Sequence, residues 1–138
     1  MSRVFTKTLT IRTPRRGLHE ITGEVARAVE QSGVESGMCN VFLQHTSASL
    51  IISENADPTA RIDLESFLDR LVPEDASWYR HVLEGPDDMP SHVKSVLTSV
   101  SLCVPVLGGA LGLGTWQGIY LWEHRSRPSA RSITVSVF

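Results

Sequence analysis

His45, His81 and His92 are the side chains of this sequence best suited to hold a metal ion or to move a proton. Asp57, Asp63, Asp87 and Asp88 are the carboxylates that could partner them. Three imidazoles around an open position suit zinc, and an oxygen-rich set suits magnesium, so the cofactor expected is a divalent ion, Mg or Zn. Against this stands the ordinary use of histidine, which in most single cases is hydrogen-bonded or solvated rather than catalytic. His19, beside a helix start, and His124, near a strand end next to Arg125, read as surface residues and are set aside. A second kind of chemistry lies in the hydroxyls of Thr46, Ser47 and Ser49. With the free backbone N–H groups of their loop they could cradle an anion, although a plain capped turn uses the same residues.

These groups need rigid elements to hold them, and residues 45–63, HTSASLIISENADPTARID, supply two. Leu50 and Ile52 alternate with Ser49, Ile51 and Ser53, which predicts a strand. Asp57 followed by Pro58 predicts an N-cap and the first residue of a helix over 58–71, with Ala60, Leu64, Phe67, Leu68 and Leu71 on its apolar stripe. Cys39–His45 predicts a preceding strand, paired with the run to Glu54 as a hairpin whose loop is about 46–49. In that hairpin His45 and Glu54 stand at opposite ends, more than about 10 Å apart at the rise of a strand. They cannot hold one ion unless the strands bend or a second subunit contributes. His92 is expected at the start of a short helix over 91–97, with Val93, Val96 and Leu97 inward. There the positive dipole end would favour a neutral ring, and His45 and His92 are expected to converge on one site.

The rest of the chain reads as scaffold. Strands are predicted over 4–12, 99–106, 115–125 and 132–138, and a helix runs from about Thr22 to Gly33 with Ile21, Val25, Ala28 and Val29 on one face. Pro105 places the second of these at an edge. In TWQGIYLWEHR, Trp116, Gly118, Tyr120, Trp122 and His124 share one face and Gln117, Ile119, Leu121 and Glu123 the other. Both faces are largely apolar, so this strand belongs between two layers or at a subunit contact. Gln117 and Glu123 lie about 20 Å apart along it and cannot serve one small site within a chain. GGALGLGTWQG lacks the Lys-Ser/Thr of a nucleotide loop and precedes a strand, so its glycines read as turn and packing residues. The class is α+β, mainly an antiparallel sheet or sandwich with two longer helices and one short one.

A chain of 138 residues is expected to form one domain, 1–138. Its formal charge of −2 gives no basic excess to attract nucleic acid. No apolar run is long enough for a membrane span, and MSRVFTKTLT lacks the apolar core of a signal peptide, so a cytoplasmic protein is expected. Cys39 and Cys103 lack metal-type spacing and read as buried free thiols.

Three blocks together, HTSASLIISENADPTARIDL, DDMPSHVKSVL and LGLGTWQGIYLWEHR, resemble the signature blocks of the YjbQ family of secondary thiamine-phosphate synthases. The resemblance runs over nearly the whole chain. It implies a small α+β protein that assembles as a homotrimer with a polar site at or near subunit contacts. It also implies the coupling of hydroxymethylpyrimidine diphosphate to hydroxyethylthiazole phosphate with release of diphosphate. His45, Glu54, Asp57, Asp63, His81, His92, Gln117 and Glu123 match polar positions of the family pattern. On this basis His45, His92, Glu54 and Asp63 are the catalytic candidates. Thr46, Ser47, Ser49, Asp57, Gln117 and Glu123 are the substrate-binding ones, and His45, His81 and His92 the metal ligands. Three departures stand out. Ser47 replaces a more usual Thr, Ala110 replaces a basic residue, and Ser129 and Ala130 occupy a region where a second Arg often precedes Arg131. The alternatives to a synthase are a metal-dependent hydrolase with a His-based site and a non-catalytic trimeric ligand-binding protein.

Overall fold

The computed structural model describes residues 3–138. In chain order the elements are β1 (Phe5–Thr13), β2 (Gly17–Glu20), α1 (Thr22–Ser32), β3 (Ser36–Leu43), β4 (Ala48–Glu54) and α2 (Pro58–Leu71). They continue with α3 (Asp88–Leu97), β5 (Ser101–Leu107), β6 (Ala110–Leu111), β7 (Gln117–Glu123) and β8 (Ser129–Val137). The strands form two antiparallel sheets, one of five in the order β1-β8-β3-β5-β6 and one of three in the order β2-β7-β4. The α+β class, the mainly antiparallel sheets and the split into longer and shorter helices agree with the sequence pattern.

Strand alternation builds the core between the sheets. Cys39, Val41 and Leu43 of β3, Val104 and Val106 of β5, and Ile133, Val135 and Val137 of β8 point inward from the larger sheet. Leu50 of β4 with Ile119 and Leu121 of β7 meet them from the smaller one, and Ile21, Val25, Ala28 and Val29 from α1 and its entry complete the cluster. Each such aliphatic side chain, fully buried, contributes about 1.5–3 kcal/mol. The other face of β7 carries Tyr120 and Trp122, which join Leu18 of β2 and Leu68 and Val72 from α2 and its end in a second cluster. The strand with two apolar faces is therefore central, with a sandwich core on one side and helices on the other.

Several local expectations are corrected. The strands at 39–45 and 48–54 are not a hairpin: β3 pairs with β5 and β8, whereas β4 pairs with β7 in the other sheet. The loop between them crosses from sheet to sheet, as strands do at the corner of a sandwich. The first strand ends at Thr13, just before Pro14, but a short strand not expected from the sequence follows it. The chain turns through residues 14–16 and resumes as β2, whose Gly17 has φ +127°, a conformation that favours glycine. Thr22 is no cap. Its hydroxyl accepts from the Ile119 N–H at 2.9 Å and donates to Glu20 at 2.8 Å, tying α1 to β7. Gly33 does close α1, in the left-handed conformation.

The third helix begins at Asp88, so His92 lies one turn inside it. Pro90 is compatible with that first turn because the N–H it lacks would find no partner there. Its buried side carries Ser91, Lys94 and Ser95, while Val96 and Leu97 are exposed. Polar bonds decide this: Ser95 donates to the Ala48 carbonyl at 2.9 Å, Ser91 to the Asp87 carbonyl at 2.6 Å, and Lys94 to Asp69 at 2.6 Å. On α2 only Leu68 is fully buried, and Phe67 and Leu71 of the expected stripe face outward. Cys39 is buried as expected, but Cys103, one step along the neighbouring strand and pointing to the opposite face, is exposed. Burial and then the neighbouring Cys103 push the Cys39 thiol up to about 11.

Candidate metal centre

His81, Asp88 and His92 form a group whose ligand atoms all lie within 4.8 Å of one another. Asp88 and His92 are four residues apart on α3 and so stand on the same face of it. His81 comes from the irregular segment before the helix, its ring centroid 5.4 Å from that of His92. Asp88 Oδ2 is 2.9 Å from His81 Nε2 and 3.0 Å from His92 Nε2. Asp88 is 2% exposed, whereas the His81 ring is open to solvent, so the group is anchored on one side and reachable on the other.

The tautomer of His92 follows from its partners. Nδ1 lies 2.8 Å from the Thr46 carbonyl oxygen, which only accepts, so Nδ1 carries the hydrogen and donates it. In a neutral ring Nε2 then holds a lone pair, and that lone pair faces a carboxylate oxygen that also only accepts. Two acceptors 3.0 Å apart need a positive centre between them, either a second ring proton or a cation. Two imidazole nitrogens and one carboxylate oxygen with remaining positions open are a donor set for zinc or a similar first-row ion. Tetrahedral ligation at ordinary bond lengths needs donor atoms about 3.3 Å apart, which small side-chain shifts from the present spacing reach.

Two buried networks hold this group. Arg125 Nη1 donates to Asp88 Oδ1 at 2.5 Å, its Nε to Asp87 Oδ2 at 3.2 Å, and its Nη2 to the Glu84 carbonyl at 2.9 Å. Burial raises the Asp87 pKa, but hydrogen bonds from the Ser126 N–H and hydroxyl and from Arg125 outweigh it and leave the carboxyl below its usual range. The second network centres on Glu123, which is 0% exposed. Its carboxylate accepts from Thr13 Oγ1 at 2.6 Å, from Arg131 Nε at 2.7 Å and Nη2 at 2.5 Å, and from the Arg125 N–H at 3.0 Å. Here too burial pushes up and the donors, Arg131 first, win, so the pKa is lowered.

His45 is brought to the same region but in a different role. It lines, with Thr46 and His92, an open groove of about 1010 Å³ whose apolar members include Phe42, Val96 and Val100. The two histidines expected to converge thus share one groove. However, Nε2 of His45 accepts from the Ser132 N–H at 2.8 Å, and Arg131 Nη1 stands 3.4 Å from its Nδ1. Burial and the Arg131 charge lower its pKa against the pull of Glu123. A neutral ring so placed has no free lone pair for a metal, and the third donor grouped with His81 and His92 is Asp88.

The hydroxyl loop also divides. Thr46 and Ser47 are accessible and offer hydroxyls beside the groove, while their carbonyls accept from His92 and from Arg131. Ser49 is fully buried, with its hydroxyl 2.8 Å from His124 Nε2, so it does not face the loop. Glu123 is equally withdrawn from any small molecule, because every direction of its carboxylate is taken. At the far end of the same sheet Glu54 accepts from the Asp57 N–H at 3.2 Å, Asp57 caps α2, and Gln117 accepts from the Gly114 N–H at 2.8 Å. Asp63 is exposed on α2. The structure therefore does not bring Glu54, Asp57, Asp63 or Gln117 to the histidines within one chain.

His124, set aside as a surface residue, is 1% exposed. Burial, then the positive charges of Lys94, Arg131 and Arg16, lower its pKa to about 3. The alternation that placed it on the face of Trp122 was the better guide than its neighbour Arg125; the two rings lie 5.6 Å apart. The sequence signal for Asp88 was its spacing of four from His92. Nothing in the sequence marked Arg125, whose fork closes only once β7 and the acidic loop meet.

The family model described as UPF0047 protein YjbQ-like matches residues 7–138. A UPF0047 protein of Synechocystis sp. is 53% identical over 129 residues, covering 94% of this chain and 88% of that protein. UPF0047 protein YjbQ of Escherichia coli O157:H7 is 45% identical over 134 residues, covering 96% of each. Among solved structures, a YbjQ-like protein from Sulfolobus solfataricus P2 superposes with TM-score 0.89 at 29% identity, covering 98% of this chain and 96% of that one. A YjbQ/UPF0047 family protein from Clostridium acetobutylicum superposes with TM-score 0.88 at 37% identity, covering 96% and 99%. Among the described residues no helix is long and apolar enough to cross a membrane.

Proposed function

The chain belongs to the YjbQ-like UPF0047 family, and on that footing we propose that it is a divalent-metal enzyme acting on a small phosphorylated molecule at the His81–Asp88–His92 face. The observation that carries this is the pair of acceptor atoms, His92 Nε2 and Asp88 Oδ2, turned toward each other with His81 Nε2 beside them. A divalent ion bound there would polarise a phosphate or diphosphate oxygen of the substrate. Thr46 keeps His92 in the ligating tautomer through its carbonyl. The exposed hydroxyl of Thr46 can donate to a phosphate oxygen at the groove rim, with the half-buried Ser47 next to it in the chain, while Phe42, Val96 and Val100 offer an apolar wall for the rest of the molecule.

For the reaction we favour diphosphate displacement of the thiamine-phosphate synthase type, which places one anionic leaving group beside the cation. The second reading, hydrolysis, is favoured by the donor set itself, since two imidazoles suit zinc better than the magnesium usual in diphosphate chemistry. We also assign the protein a homotrimer, supported by the exposed Val96 and Leu97 beside the groove.

The test is the metal. Purified protein should hold about one zinc or similar ion per chain, and chelation should abolish turnover of the pyrimidine diphosphate and thiazole phosphate pair or of a phosphate ester. His92→Ala should weaken metal binding by at least ~100-fold, given the loss of a ligand, with the oligomer intact by light scattering. Metal binding unchanged in His92→Ala would mean that the ion is held elsewhere and would overturn the reading of this group as a metal site.

A further inference from the structure

We infer that Arg125 is a positioning residue that turns Asp88 Oδ2 toward His81 and His92. This rests on the metal reading above and adds a residue to it. A carboxylate attached through one rotatable bond can present either oxygen, and its direction is fixed only if the other oxygen is held. Arg125 Nη1 holds Asp88 Oδ1 at 2.5 Å, which leaves Oδ2 for the rings. The same planar guanidinium binds Asp87 Oδ2 and the Glu84 carbonyl, so it also closes the acidic loop that leads into α3. Its backbone N–H is bound in turn by Glu123 Oε2, at the end of the central strand.

Glu123 reaches the other side of the group as well. Arg131, locked by Glu123, donates to the Ser47 carbonyl, next to the Thr46 carbonyl that holds His92. Asp88 and His92 are thus both aimed, through two arginines, from one buried carboxylate. A guanidinium is required because three acceptors lying in different directions must be met at once by one planar group. A lysine ammonium keeps the charge but not the fork.

A purely structural role for Arg125, offsetting the buried charges of Asp87 and Asp88, would change stability and leave the metal affinity of the folded protein alone. The two are separated by titrating the metal-free, full-length protein with Co²⁺ and with Zn²⁺ against a competing chelator. The fold is followed by circular dichroism and by the melting temperature of the metal-free state. Wild type is expected to bind, His92→Ala to fail, and folded Arg125→Lys to bind ~10–100-fold more weakly, with an altered Co²⁺ visible spectrum. An affinity and spectrum equal to wild type in folded Arg125→Lys would overturn the inference while leaving the metal reading in place. Failure of wild type itself to bind either ion would overturn the metal reading, and this inference with it. Should Arg125→Lys not fold, Asp87→Asn decides. It slackens the same guanidinium from its other side without touching a ligand, so a fall in affinity supports the positioning role and an unchanged affinity overturns it.

Discussion

The β4–β7 ladder runs between two polar ends that were built in opposite ways. At one end Ala48 pairs with Glu123, and around that pair Glu123, Arg125, Arg131, Ser49, His124 and Asp88 are withdrawn from water and bonded to one another or to the backbone, with Nδ1 of His124 alone left without a partner among them. At the other end Glu54 pairs with Gln117, and there the polar groups lie at the surface and bond their own backbone in turns and caps. A buried carboxylate surrounded by donors has one conformation; an exposed capping residue has several of similar energy. Only the first kind can hold a ligand set to the tolerance that metal binding or catalysis needs.

The largest expected difference between the ends is in stability. Glu123→Gln leaves the buried Arg131 guanidinium without its counter-charge and should cost about 3–5 kcal/mol, the usual cost of breaking a buried pair. Gln117→Ala, at the other end of the same strand, removes an exposed bond and should stay within about 0.5 kcal/mol. Denaturant unfolding of both variants is the measurement, and comparable losses would show that the network around Glu123 is not what sets the two ends apart.

The next difference is in pH. His124 is neutral in the folded protein, its pKa lowered to about 3, against the 6.5 usual for a free ring. Below the higher of these values the unfolded chain takes up a proton that the folded chain refuses, so stability falls as pH falls, by up to roughly 1.4 kcal/mol per unit. His45, also lowered, adds to the slope with the same sign. Glu123 and Asp87, lowered as carboxylates, contribute stability that is lost only at more acidic pH, as pH falls below the unfolded carboxyl values and through their folded ones. Melting temperatures followed from neutral to mildly acid pH should therefore drop in wild type and drop less in His124→Gln. An identical slope in the two would assign the acid sensitivity elsewhere.

The same contrast explains what could be read from the sequence. Local rules sufficed at the Glu54 end: Asp57 before Pro58 gave the N-cap and the helix over 58–71 as observed, because capping involves residues two apart in the chain. Period-two alternation likewise identified β7 as central. At the Glu123 end the deciding bonds join residues far apart in the chain, such as Thr13 with Glu123 and Arg125 with Asp88. No spacing rule reaches across such gaps. The assignment of β3 and β4 to one hairpin failed for a related reason, since a short polar loop between strands fits a sheet-to-sheet crossing as well as a turn. His92 and His81 could be named from residue type, but the tautomer that turns the Nε2 lone pair of His92 toward Asp88 came only with the Thr46 carbonyl in place.

The smallest expected effect is also the one that bears on assembly. Asp57 accepts from the Thr59 N–H at 2.9 Å and the Thr59 hydroxyl at 2.8 Å, and these bonds lower its pKa, as expected of a helix cap. Asp57→Ala should lower the melting temperature slightly, through the first turn of α2, and leave metal affinity and turnover unchanged. The measurement is a chelator competition run beside a thermal melt. A loss of turnover or of metal affinity in folded Asp57→Ala would contradict the division between the ends. Within one chain the cap cannot reach the His81–Asp88–His92 group, so such a loss would require the capping end of one protomer to meet the histidine end of another. The site would then be completed across a subunit contact, and Glu54 and Gln117 would return as members of it.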